Sequence, residues 1–259
     1  MVFWCLTRVK KMLDGFTKKY FCKGCQSLWN ACEENTMDKS LNQETYNRLK
    51  RDILTFALKP GDAVSAAKLA ERYQVSRTPV REALVKLETE GMVNIFPQSK
   101  TVISKINVHR VRQEWFIRKT LELGMVDSFF EKMTDSDINL MKMYNDEIAA
   151  CLSRPMSPDE EFDYQGYDND FHGVMYMAAG ERLSATIIYF MTAHYNRLRS
   201  LIDREEQFKR RTLDDHETLM ECMKKRDKEG FRNVLGEHLS HIISDMDRVR
   251  EMYPDYIEG

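Results

Sequence analysis

The stretch Val75-Ser76-Arg77-Thr78-Pro79-Val80-Arg81-Glu82-Ala83-Leu84, continuing to Glu90-Gly91-Met92-Val93, leaves this part of the chain little choice of local structure. Ser76 stands where a helix takes its N-cap. Pro79 falls in the first turn, where a missing N–H costs nothing, and Gly91 supplies a left-handed stop. Val80, Leu84 and Leu87 recur at helical spacing and predict the buried stripe. Ser76, Arg77, Thr78 and Arg81 then lie on the outward, N-terminal part of the helix.

The flanks limit what such a helix belongs to. Upstream, Tyr46, Leu49, Ile53 and Ala57 follow helical spacing, Lys59-Pro60-Gly61 reads as a turn, and Ala67 to Tyr73 as a short helix ending at Gln74-Val75. Downstream, Val93 to Phe96 and Thr101 to Ser104 alternate around Pro97-Gln98-Ser99-Lys100, the pattern of a hairpin. Three helices and a β-wing predict a winged helix-turn-helix. In that motif the second helix of the pair enters the DNA major groove by its N-terminal residues. An amphipathic surface helix with two exposed arginines is the plainer reading of the stretch alone.

Charge divides the chain in the same place. The net charge is only -2, yet residues 41–107 carry eleven Lys and Arg against seven Asp and Glu, a net of +4. Residues 108–259 carry twenty-one basic and thirty acidic side chains, a net of -9. A basic head on an acidic body suits phosphate contact at one end.

Residues 41 to 106 resemble the GntR family of bacterial transcription regulators, whose members carry a proline-glycine turn, a V-S-R-T-P-V-R-E-A-L helix and a G-hydrophobic-V exit. Position 67, where the family often has arginine, is Ala67, with Lys68 as its replacement; the wing tip, where glycine is usual, is Gln98-Ser99-Lys100. The resemblance implies that Arg77 and Arg81 read bases, with Ser76, Thr78, Lys68 and Lys100 in the DNA-contacting set. It also implies a homodimer on a palindromic double-stranded operator.

At roughly 100 to 200 residues per domain, 259 residues predict a second domain. The expected division is an N-terminal extension over 1–36, a winged helix over 37–107 and an all-helical body over 108–259. The first 36 residues hold four of the six cysteines and six basic against three acidic charges, and Met37 reads as a fresh start. Cys22, Cys25 and Cys32 fall short of the four ligands a structural zinc site takes. Met1 to Leu6 is too short an apolar run for a signal peptide, and no stretch approaches the roughly 18 apolar residues of a membrane span. A cytoplasmic protein follows as the expectation, with Cys151 and Cys222 reduced in the core.

From Val108 on, helical periodicity is broken at Met133-Thr134-Asp135, Arg154 to Pro158, Ala179-Gly180-Glu181, Asp203-Arg204 and Arg226-Asp227. This predicts a bundle of six or so antiparallel helices without strands. Four polar residues stand where apolar ones belong. Asp168 and His172 are four apart and share a helix face, while His216 interrupts Leu213, Met220 and Met223, and His238 interrupts Phe231, Leu235 and Ile242. His216 and His238 each lie eleven residues from the break at Asp227, about 16.5 Å along either helix, so an antiparallel pair sets them level. A lone histidine on an apolar stripe is usually a hydrogen-bonded core residue. Three with a carboxylate are costly to bury without a divalent cation, and the donor set suits zinc foremost, with nickel or manganese as alternatives.

This pattern is similar to the FCD-type ligand domain of the FadR subfamily, whose metal-binding members carry D-x3-H on one helix and one histidine on each of two later helices. The resemblance implies Asp168, His172, His216 and His238 as ligands and a small organic acid as effector. Arg118 and Glu122 match an R-x2-L-E element at the start of that domain, and Arg118 becomes the candidate partner of an anionic effector; a structural salt bridge is the other reading. His194, on the stripe Met191, His194 and Leu198, is read as a packed core histidine, with a place lining the cavity as the other reading. His109 and His241 have no motif support.

The function expected is a metabolite-responsive repressor. A rival makes the body a metal-dependent hydrolase, which needs a general base and a leaving-group acid that the pattern does not supply. A third reading keeps the regulator but makes the metal structural, or itself the signal.

Overall fold

The computed structural model describes residues 41–152 and 157–259. The extension over 1–36, its cysteines and most of the break at 154–158 lie outside the described residues.

The head opens with α1 (Leu41–Leu54), β1 (Ala63–Val64), α2 (Ala66–Tyr73) and α3 (Arg77–Thr89), followed by the hairpin β2 (Val93–Phe96) and β3 (Lys100–Ile103). The sheet runs β1-β3-β2, antiparallel throughout, with Ala63 opposite Val102 and Ile95 opposite Thr101. Tyr46, Leu49, Ile53, Leu69, Val80, Leu84, Leu87 and Ile103 form its core. Strand β1 is only two residues long, too short for alternation to show. Helix α1 ends earlier than spacing predicts, because Phe56 turns to φ +60°; Phe56 and Leu58 are then buried and Ala57 is exposed.

Gly91 has φ +78°, which favours glycine, and a Cβ there would crowd the His194 ring at 3.2 Å from Nε2. Ser76 holds the N-cap position but makes no capping hydrogen bond, a correction to the sequence reading. Its hydroxyl is exposed with Arg77 and Thr78, which leaves the first turn of α3 open toward solvent.

Strand β4 (Ile106–Asn107) leads into the body: α4 (Val108–Gly124), α5 (Val126–Lys132), α6 (Asp135–Leu152), α7 (Pro158–Ala179), α8 (Arg182–Met191), α9 (Ala193–Ile202), α10 (Glu206–Lys225), α11 (Lys228–His238) and α12 (His241–Met252), then β5 (Ile257–Glu258). Nine body helices stand among the described residues where six or so were expected. Two of the extra breaks, at Met125 (φ -91°, ψ -3°) and Ser240 (φ -88°, ψ -14°), change direction with near-helical dihedrals, so the sequence needs little punctuation there. The prediction of a strandless body is also corrected. Ile106 pairs in parallel with Ile257, across most of the chain's length, and local pattern cannot announce such a pairing.

Met141, Tyr144, Phe171, Met175, Leu219, Met223 and Leu235 centre the bundle core. Head and body meet through α9, whose Ala193 joins the head's apolar cluster and whose Arg197 is fully buried against Ser104. Lys50 of α1 lies 4.3 Å from the ring centroid of Tyr189 on α8.

Candidate metal centre and DNA-reading helix

The body brings Asp168, His172, His216 and His238 together. One ligand atom from each falls within 4.8 Å of the others. Asp168 and His172 share a face of α7, whose N-terminus is fixed by a capping box between Ser157 and Glu160 and whose end is set by Gly180 at φ +83°. Helices α10 and α11 run out from the turn at Arg226-Asp227, and the His216 and His238 ring centroids lie 4.9 Å apart. His216 is fully buried and stacks on Phe171, centroids 3.8 Å apart and planes within 3°.

Each imidazole is oriented through its Nδ1. That of His172 donates to Glu122 Oε2 at 2.8 Å, that of His238 to Asp215 Oδ2 at 3.1 Å, and that of His216 to Asn145 Oδ1 at 3.2 Å. With the Nδ1 protons so placed, the three Nε2 atoms carry lone pairs, and they point inward. Those of His172 and His238 face each other at 3.2 Å. That of His216 has no hydrogen-bond partner and sits 3.7 Å from Asp168 Oδ1. Converging lone pairs beside a carboxylate fit a divalent cation, and the carboxylate and amide behind the rings are the supports such ligands take.

The electrostatics follow from burial and charge. Burial pushes His216 well below the usual histidine value, and a charge on His238 lowers it further; burial also lowers His238. Burial would raise Asp168, but Arg199, His172 and His216 together hold it far below the carboxylate range. Glu122 is likewise buried, yet His172 and Arg118 hold it at about 2. Burial therefore favours neutral imidazole at His216 and His238 beside an ionised Asp168, the forms that ligate.

Arg118 lies behind this centre. Its Nε donates to Glu122 Oε1 at 2.7 Å, its guanidinium stands 5.2 Å from the Tyr195 ring centroid, and it is 3% exposed. His194 sits apart, between head and body, as a buried and hydrogen-bonded histidine. His241, unsupported by motif, shares Asp215 with His238 at 3.0 Å, and His109 is exposed. Sequence reading missed Asn145, Asp215 and Arg199 outright. Asp215 adjoins His216 on its helix and so points to a different neighbour, which spacing within one helix does not identify.

On the head, Ser76, Arg77, Thr78 and Arg81 crowd the exposed N-terminal turns of α3. Lys68 is exposed on α2, and Lys100 on the wing beside Phe96, where Gln98 turns the chain at φ +56° in place of glycine.

A winged helix-turn-helix joined to a mostly helical body is the build of a two-part transcription regulator. Residues 41–103 match the family described as bacterial regulatory proteins, gntR family, and residues 115–241 match the FCD domain. The chain is 26% identical over 216 residues to the HTH-type transcriptional repressor RspR of Escherichia coli, covering 83% of this chain and 93% of that protein. It is 27% identical over 220 residues to an HTH-type transcriptional regulator in an unstable DNA locus of Streptomyces ambofaciens, covering 85% and 91%. Its fold matches E. coli McbR/YncC with a TM-score of 0.68 at 21% identity, over 83% of this chain and all of that one. The chain belongs to the GntR family of transcription regulators, with an FCD domain as its body. No helix among the described residues is long and apolar enough to cross a membrane.

Proposed function

We propose that this regulator is a metabolite-responsive repressor of the FadR subfamily, whose body holds a divalent metal, zinc foremost, on Asp168, His172, His216 and His238. The observation that carries this reading is the set of three inward Nε2 lone pairs, one wholly unpartnered, beside an ionised aspartate. When bound, the metal offers open positions to an oxygen ligand of a small organic acid. Arg118, held by Glu122, supplies positive charge beside the cluster and is the proposed partner of that acid's carboxylate. Glu122 and Asp215 are both committed to imidazole Nδ1 atoms, which argues against their service as a hydrolytic base.

The functional division falls between 37–107 and 108–259, in a cytoplasmic protein. Arg77 and Arg81 read bases in the major groove, Ser76 and Thr78 contact the backbone at the start of α3, and Lys68 and Lys100 steady the complex on phosphate. Two copies grip a palindromic operator. Support for pairing comes from α8, which buries no residue and turns Leu183, Ile187 and Met191 outward at four-residue spacing.

The test follows operator affinity of the purified protein, on a duplex selected by the protein itself, across chelator, Zn2+ and a panel of hydroxy acids, dicarboxylates and sugar acids. The proposal expects one acid to shift affinity only in the metal-loaded protein. Metal-independent shifts, or none across the panel, overturn the effector reading.

A further inference from the structure

Helix α9 is gripped on two sides. Toward the body, Arg199 Nη1 donates to Asp168 Oδ2 at 2.5 Å and its Nη2 to Asn169 Oδ1 at 2.8 Å. Toward the head, Arg197 donates from Nη1 to Ser104 Oγ at 2.9 Å and from Nη2 to the Ser104 carbonyl at 2.6 Å. Ser104 Oγ in turn donates to the Gly91 carbonyl at 2.7 Å, and the Asn107 amide donates to His194 Nδ1 at 3.1 Å. Arg197 and Arg199 are two positions apart, about 200° around a helix, so one short rod presents one guanidinium to each side.

We propose that α9 transmits the state of the His/Asp cluster to the DNA-reading head, with Arg199 and Arg197 as its positioning residues. The proposal rests on the reading that the cluster takes a metal. Asp168 divides its oxygens between the two partners: Oδ1 faces His216 Nε2 at 3.7 Å, and Oδ2 is in the grip of Arg199. A cation drawn to the Nε2 atoms pulls on Oδ1, and the charge-assisted fork on Oδ2 and Asn169 carries that pull to α9. On the far side, Ser104 and Gly91 are the end of the wing and the stop of α3. Joints of this kind are polar and directional, so a small displacement breaks or remakes them as discrete bonds and is not absorbed as slack. An apolar contact of the same area slides without such a penalty.

The experiment is hydrogen exchange on the full chain with and without Zn2+, in wild type, Arg199→Met, Arg199→Lys and Ser104→Ala, with bound zinc measured in each. In wild type, zinc changes exchange in peptides spanning residues 91–107 by about 5-fold or more, the lower end of usual allosteric couplings. Arg199→Met still takes up zinc through the three histidines but loses this change, and Arg199→Lys restores part of it. Ser104→Ala keeps zinc uptake and the response at α9 while residues 91–92 respond less, since only the two bonds through Oγ are lost, which tests the head side independently should Arg199→Met fold poorly. Zinc uptake with no change over 91–107 in wild type, or an undiminished change in Arg199→Met or Ser104→Ala, overturns the inference. Absence of zinc uptake by wild type overturns the metal reading and this inference together.

Discussion

His216→Leu separates a metal ligand from a core histidine. The native ring is fully buried, stacks on Phe171 at 3.8 Å, donates from Nδ1 to Asn145 Oδ1 and has no partner at Nε2. Leucine retains most of the apolar contact. It leaves Asn145 Oδ1 without a donor, a cost of about 1–3 kcal/mol, and removes an unpaired ring nitrogen whose burial costs a comparable amount. The two offset, so the metal-free variant should unfold within roughly 4 °C of metal-free wild type. Zinc acts differently. At a thousandfold excess over its Kd a ligand adds about 4.1 kcal/mol, which for a protein of this size raises the midpoint by roughly 8–16 °C. The assay is thermal unfolding by circular dichroism in EDTA and in excess Zn2+. Wild type should show the full rise and His216→Leu less than half of it. A variant that keeps the full zinc-induced rise refutes the ligand assignment; one that loses more than about 4 kcal/mol without metal refutes the offsetting costs and makes His216 a structural residue.

Arg81→Ala should weaken operator binding by about 10- to 100-fold with the far-ultraviolet spectrum unchanged, measured by fluorescence anisotropy at fixed salt. Lys100→Ala should lower the slope of log affinity against log salt by about 1 while leaving the preferred sequence alone. His194 gives a pH prediction. Burial and then the charge of Arg197 and Arg110 depress it to about 3, below its unfolded value of about 6.5, so its contribution is present above pH 6.5 and is lost as pH falls toward 3. The stability advantage of wild type over His194→Gln in urea should therefore shrink by about 2 kcal/mol between pH 6.5 and 5. Ile187→Lys, on the exposed stripe of α8, should shift sedimentation from dimer toward monomer; an unchanged dimer would move the interface elsewhere.

What was legible in the sequence was carried by local period. The stripe Val80, Leu84, Leu87 and the stop at Gly91 define α3 within one helix, and Asp168 with His172 needs a single turn. His216 and His238 required one further assumption, an antiparallel pair around Asp227, and the pair is there. The supports of the imidazoles come from elsewhere: Glu122 from α4, Asn145 from α6, Asp215 from the next position on His216's own helix. None departs from its local pattern in a way that names its partner. The head–body joint is hidden for the same reason. Ser104, His194 and Arg197 look like a strand end and two ordinary helix positions until the chain has folded over some 90 residues of separation. Ser76 fails differently: its type and place predict a cap, but α3 leaves its hydroxyl free.

Two buried polar clusters in this chain show why burial alone does not mark a ligand site. In the head, Lys50 Nζ donates to Glu90 Oε2 and to Tyr46 Oη, and Tyr46 Oη donates to Glu90 Oε1. The ammonium, the carboxylate and the hydroxyl each find a partner within the set, with Lys86 Nζ 3.7 Å from the Tyr46 ring centroid, so the cluster has cations enough without a metal. In the body, by contrast, carboxylates and an amide oxygen take the Nδ1 protons, and the three Nε2 atoms are left as acceptors with an aspartate as their neighbour. Acceptors outnumber donors at the centre, and the low dielectric of a packed bundle makes that excess expensive. Substitutions in the closed set should destabilise the protein equally with and without metal. Substitutions in the open set should be mild without metal and severe in its presence. That contrast distinguishes a polar core from a receptor, and it follows from the count of lone pairs, not from the number of charges buried.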